Sequence, residues 1–160
     1  MTNNYVKRLA DNIIDKSAKI EKLTKTVFPD FEISYIDYEP IPRCKAIVAQ
    51  IKNKEDEELT IFFSDFDCQY IFSKNFKYDA KKLDKLRMLF LEEMVTTFAG
   101  TNYIVELEND YNEKLERGYE LLKSEEETDK DLVKKEMKQA IKEIKYLKNL
   151  SKKHILGKIE

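Results

Sequence analysis

The sequence predicts an α+β fold: an N-terminal helix, an antiparallel sheet of three to four strands, then three helices, the last two forming a charged antiparallel hairpin. Three observations carry this expectation. Apolar residues recur at three- and four-residue spacing near the N-terminus, switch to a period of two between residues 31 and 73, and return to helical spacing from residue 79 onward. Phe and Tyr concentrate in the period-two stretch, as strands favour. The last third holds two opposed blocks of charge. Residues 101–131 carry four Lys and Arg against eleven Asp and Glu, and residues 132–160 carry nine against three.

The first helix is expected over residues 3–26. Tyr5, Val6, Leu9, Ile13, Ile20, Leu23 and Val27 make its apolar stripe, Thr2 or Asn3 caps it, and Pro29 ends it. Four strands follow. "FEISYID" places Phe31, Ile33 and Tyr35 on one side. "EPIPRC" breaks the pairing, because Pro40 and Pro42 cannot donate to a ladder. "KAIVAQIK" turns Ile47, Ala49 and Ile51 to one face, and "LTIFFSD" does the same with Leu59, Ile61 and Phe63. The polar turn "NKEDEE" joins these two strands. "FDCQYIFS" is a fourth, reached by so short a link that a hairpin is the natural reading.

The second helix spans residues 79–99, with Asp79 as N-cap and Gly100 as the left-handed residue that closes it. It has two apolar stripes, Leu83–Leu86–Phe90–Met94 and Met88–Leu91–Val95–Phe98, so it is expected to pack on the sheet and on the last two helices. Helix three is expected over 101–124, with Ile104, Leu107, Tyr111, Leu115, Tyr119 and Leu122 on its seam. Helix four runs from about Asp129 to Leu156, with a heptad seam of Val133, Met137, Ala140, Ile144, Leu147 and Ser151, and Gly157 closing it. The turn "EEETD" between them is short, which makes them antiparallel neighbours. The acidic helix then lies against the basic one. Exposed pairs contribute about 0.2–1 kcal/mol each, so the blocks set register more than stability. A single domain over 1–160 results, with residues 1–100 as an α-β-β-β-β-α core and 101–160 as the hairpin.

A chain of 160 residues buries about 70% of its unfolded surface and needs no staple. Cys44 and Cys68 sit in strand contexts and read as reduced packing residues. Met1 to Asn4 lead into a polar helix, not an apolar leader. No run approaches the roughly 18 apolar residues of a membrane span. A cytoplasmic location without a membrane partner is expected.

Most chemistry is argued against. The glycines are Gly100, Gly118 and Gly157, so neither a P-loop nor a dinucleotide fingerprint can be written. Gly118, inside helix three, reads as a point of close helix packing. His154, the one histidine, sits in a Lys-rich helix end, where capping of terminal carbonyls is its ordinary role. No zinc spacing exists, so no metal and no cofactor is expected. Asp30, Gln50 and Lys52 echo the spaced acid and acid-x-Lys pattern of restriction-endonuclease-like nucleases. The second acid that would hold Mg²⁺ is replaced by Gln50. The carboxylates Glu55 to Glu58, Asp65 and Asp67 read as charges that mark turns and guard sheet edges.

Two charged stripes remain as candidate partner surfaces. Glu106, Asp110, Glu113, Glu116 and Glu120 repeat along helix three. A row at one-turn spacing, about 5.4 Å, is similar in pitch to phosphates on a strand. Lys134, Lys138, Lys142, Lys145, Lys148 and Lys152 form the alternative basic stripe on helix four, suited to a phosphate backbone. The favoured reading is a non-enzymatic inhibitor or regulator that binds another protein, such as a nucleic-acid enzyme. The alternatives are a nucleic-acid-binding regulator using the Lys stripe, and a degenerate metal-dependent nuclease. A homodimer arises if the helix-four heptad faces outward. In overall character, the small, charged, motif-poor chain rich in Lys, Ile, Asn and Tyr resembles accessory proteins of phages and mobile elements, among them the anti-CRISPR inhibitors of CRISPR effector nucleases. That resemblance implies action in a host cytoplasm and transfers no site residue.

Overall fold

The computed structural model describes residues 13–41, 44–124 and 129–159, with side chains for 18–37, 47–124 and 129–157. Helix α1 (Ile13–Val27) leads into strands β1 (Glu32–Ile41), β2 (Cys44–Lys52), β3 (Glu58–Phe63) and β4 (Cys68–Phe72). Helices α2 (Ala80–Thr97), α3 (Tyr103–Lys123) and α4 (Lys130–Ile159) complete the chain. The strands form one antiparallel sheet in the order β1-β2-β3-β4. The expected first turns of α1, with Tyr5, Val6, Leu9 and a Thr2 or Asn3 cap, lie outside the described residues, as do the "EEET" part of the helix connection and the Cys44 side chain.

The chain divides into two compact units, residues 1–91 and 92–160, with the border inside α2. The core of the first is one face of the sheet. Ile47, Ala49, Ile51, Leu59, Ile61 and Phe63 are all buried there. Direct cross-strand pairing puts these residues in register, Ile47 with Phe63, Ala49 with Ile61 and Ile51 with Leu59. Leu83, Leu86, Phe90 and Leu91 of α2 are buried as well. The Phe90 ring lies 5.0 Å from that of Phe63, tilted by 53°, and the Tyr70 hydroxyl donates to the Leu83 carbonyl at 2.9 Å, which fixes this part of α2 on the sheet face.

Two strand expectations need correction. Pro40 does not break β1, which continues through Pro40 to Ile41, paired with Lys45 and Cys44. β1 is the sheet edge, where a missing N–H need not interrupt a ladder. A bulge at Ser34 also separates Ile33 from Tyr35: Ile33 opposes Ile51, but Tyr35 already opposes Gln50. One inserted residue reverses the alternation. Ile36 therefore takes the inward slot opposite buried Ala49, and Tyr35 turns to the other face, 37% exposed.

The turns and caps follow local chemistry. Asn53 Oδ1 accepts from the N–H groups of Glu55 and Glu57, and Asp56 takes a left-handed φ of 60°. Asp79 caps α2, its Oδ1 accepting from Lys81 N at 3.1 Å and Lys82 N at 3.2 Å. Gly100 follows α2 with φ 84°, a conformation that only glycine adopts without strain. Asp129 caps α4 through Leu132 N at 3.1 Å.

In the second unit, α3 and α4 form the expected antiparallel hairpin. Lys148 pairs with Glu108, Tyr111 meets Glu143 and Gly118 meets Met137, so residue numbers fall on one helix as they rise on the other. Leu107, Tyr111, Ile144, Leu147 and Ser151 are buried in this unit. Tyr119 is not on the seam: it is 55% exposed, and Gly118 is buried in its place. A Cβ on Gly118 would lie 2.9 Å from both Cγ and Sδ of Met137, so the glycine is a point of close helix packing. Gly157 does not close α4, which continues to Ile159.

Candidate functional site

The hairpin carries both charged stripes. Its seam is closed by apolar residues and by one buried polar pair that the spacing of apolar residues does not reveal. The Tyr111 hydroxyl donates to Glu143 Oε1 at 3.0 Å, and Gln139 Nε2 donates to Glu143 Oε2 at 3.3 Å. The signal that could have found it is an acid standing directly beside Ile144 of the heptad seam.

With the seam closed this way, the stripes fall outside it. On α3, Glu113, Glu116 and Glu120 are exposed, whereas Glu106 and Asp110 are half-buried. Asp110 pairs with Lys114 on the same helix at 3.2 Å. The accessible acidic row therefore narrows to three carboxylates between Glu113 and Glu120, about 10 Å of helix. On α4, Lys134, Lys138, Lys142, Lys145, Lys148 and Lys152 are all exposed, and Lys148 is tied to Glu108 of α3. This row runs about 27 Å along the axis. Tyr146, beside it, donates to Glu92 Oε1 at 2.7 Å, and that hydrogen bond is the main reason its phenol is held above its ordinary range. His154 is exposed near the end of the same helix.

The first unit has a separate groove of about 810 Å³ at one end of the sheet. It lies among the α1–β1 link, the β2–β3 turn and the β4–α2 link. The links are stitched together: Asn75 Nδ2 donates to Glu55 O, Ser73 Oγ accepts from Glu58 N, and buried Glu57 accepts from Lys77 N at 3.2 Å. Phe28, Phe31 and Phe76 cluster in its wall with centroids 5.5 to 6.5 Å apart. Asp30, Glu32, Glu55, Glu57 and Asp79 stand among Lys54, Lys77 and Lys82, so the charges are mixed.

The nuclease-like residues are partly gathered. Asp30 and Lys52 line one small groove with Glu32 and Asn53. Lys52, however, is drawn toward the turn acids, 3.3 Å from Asp56 and 3.8 Å from Glu58. Gln50 is exposed on its strand. Among the described residues, no three of His, Cys, Asp and Glu come together as metal ligands. Of the acids read as marks of turns and edges, Glu57 and Asp65 are in fact buried, at 8% and 3% exposure. Asp67 has a turn role, its Oδ1 accepting from Cys68 N at 2.9 Å. Cys68 is buried, and burial, reinforced by the Asp67 charge, pushes its thiol far up, so it is held protonated and is a poor nucleophile.

No helix among the described residues is long and apolar enough to cross a membrane. Comparison with family models, with curated proteins and with solved structures finds no match.

Proposed function

We propose that this chain is a non-enzymatic regulator that binds another protein through the charged outer surface of its helical hairpin, with Glu113, Glu116 and Glu120 as the contact row. The observation that supports it is the closure of the hairpin seam by Leu107, Tyr111, Ile144 and Leu147. Glu113, Glu116 and Glu120 stand outside that seam and are exposed, so they are available for contact, whereas the Lys row gives up Lys148 to a pair with Glu108 across the hairpin. An exposed acidic row suits a basic partner surface, including the phosphate-binding groove of a nucleic-acid enzyme such as a CRISPR effector nuclease. There it would act as a competitor of nucleic acid.

A second reading is favoured by the length and exposure of the Lys row, which suits direct contact with a nucleic-acid backbone. One experiment separates the two. Labelled duplex and single-stranded DNA are titrated with the isolated protein at physiological salt, alongside Glu113→Lys/Glu120→Lys and Lys138→Glu/Lys145→Glu variants. The protein-binding reading expects no sub-micromolar DNA binding, and loss of nuclease inhibition in the acidic-row variant alone. Salt-sensitive sub-micromolar DNA binding, lost in the Lys-row variant, would replace it with the second reading.

A further inference from the structure

We propose that β4 is a self-association edge, and that two copies of the chain pair their β4 strands antiparallel about a two-fold axis at Ile71, joining two sheets into one. The inference goes beyond the hairpin reading and uses the first unit only.

The outward edge of β4 can be read from its ladder. Ser64 N donates to Asp67 O and Ser73 N donates to Glu58 O, so the hydrogen-bonded pairs with β3 alternate through Phe62–Gln69 and Thr60–Ile71. The N–H and C=O groups of Cys68, Tyr70 and Phe72 therefore point away from the sheet. The Cys68 N–H is already taken by Asp67 Oδ1. The outward groups of Tyr70 and Phe72 remain, on the side of β4 where the described sheet has no further strand.

The two edges of the sheet differ. β1 is protected by its bulge at Ser34 and by the acid Asp37. β4, "CQYIF", has no charge, no proline and no bulge, and its Ile71 and Phe72 are 63% and 46% exposed. An edge of this kind invites another strand. A second copy fits because pairing two uncharged β4 strands opposes no like charges. With β1 guarded, pairing stops at two copies instead of growing into a filament.

The register follows from the groups that remain. Pairing Tyr70 of one copy with Phe72 of the other uses the outward donors and acceptors of both residues and leaves Cys68 undisturbed. It also sets Ile71 against Ile71 as a non-hydrogen-bonded pair, with Cα atoms about 4.5 Å apart. On the other face, each Tyr70 lies beside the second copy's Phe72, next to the groove that Tyr70, Phe72, Tyr78 and Leu83 line.

The test is sedimentation equilibrium on the full chain with two variants at Ile71. The wild type should reach twice the monomer mass as concentration rises. The short edge buries less than the roughly 1,200 Å² of standard complexes, so the dissociation constant should fall in the micromolar range. Ile71→Lys places like charges directly opposite each other and should stay monomeric with an unchanged circular-dichroism melt, since the side chain is exposed. Ile71→Cys, in a Cys44→Ser background with oxidised glutathione, should form a covalent dimer, because a non-hydrogen-bonded pair meets the Cα spacing of a disulfide. A wild type that stays monomeric up to about 1 mM, where even weak pairs saturate, overturns the proposal. So does a dimer that survives Ile71→Lys and leaves Ile71→Cys uncrosslinked.

Discussion

Gly118→Ala isolates what the hairpin seam demands. In an open helix the change stabilises by up to about 1 kcal/mol, because glycine is the poorer helix former. Here the new methyl lies 2.9 Å from Met137 Cγ and Sδ, closer than carbon atoms tolerate. Inserting a methyl into a filled contact costs about 1–3 kcal/mol. Met137 is half-buried and flexible, which favours the low end of that range. The two terms leave Gly118→Ala between about neutral and 2 kcal/mol destabilised. Gly157→Ala is the internal control. It lies within α4 and a Cβ there meets nothing within 4 Å, so it keeps the propensity gain, reduced by fraying at the helix end. Urea unfolding followed by circular dichroism measures both. Repeating Gly118→Ala in a Met137→Ala background should recover the stabilisation, which shows as a coupling of about 1–2 kcal/mol. If Gly118→Ala stabilises as much as Gly157→Ala, and Met137→Ala does not alter it, the close packing argued for this seam is wrong.

Four further outcomes are expected. Tyr111→Phe removes a hydroxyl donor from buried Glu143 and should cost about 1–3 kcal/mol in the same urea assay, with little loss if Glu143→Met accompanies it; equal losses in both variants would deny that the pair is coupled. Asp79→Ala removes the acceptor of two N–H groups at the start of α2 and should cost about 1 kcal/mol, whereas Asp79→Asn should be nearly silent. Burial raises both Cys68 and Tyr70 above their ordinary values of 9.0 and 10.0, so the folded state keeps protons that the unfolded chain releases. Stability from these groups is full below about pH 9 and falls as pH rises above it, so a Cys68→Ala/Tyr70→Phe variant should show a shallower alkaline decline in Tm; an unchanged slope would refute this assignment. Finally, the chain should not cut DNA or RNA with Mg²⁺ or Mn²⁺, and cleavage that vanishes in Asp30→Ala and Lys52→Ala would restore the nuclease reading.

Much of the architecture follows from local chemistry along the chain. Apolar period separates the strands from the helices, because a pleated strand and a 3.6-residue helix each expose one face in a different rhythm. Asp79 and Gly100 mark the ends of α2, since a cap and a left-handed turn each need a particular residue. The acidic and basic stripes are legible for the same reason, being spacing on a helix. What the sequence does not determine is which of two neighbours a packing partner selects. Gly118 and Tyr119 both fit a seam that steps from Leu115 by three or four, and only the approach of Met137 places the glycine inside and the tyrosine outside. The same holds for the acidic row, where helix packing half-buries Glu106 and Asp110 and leaves Glu113, Glu116 and Glu120 outside. Ser34 carries no mark of a bulge, yet pairing with β2 inserts it there and reverses the faces of Tyr35 and Ile36. Burial of Glu143 and Asp65, and the unguarded edge of β4 against the guarded edge of β1, likewise arise between segments far apart in the chain. Period, caps and turns depend on a residue and its near neighbours, whereas face, burial and edge depend on what another segment brings against it.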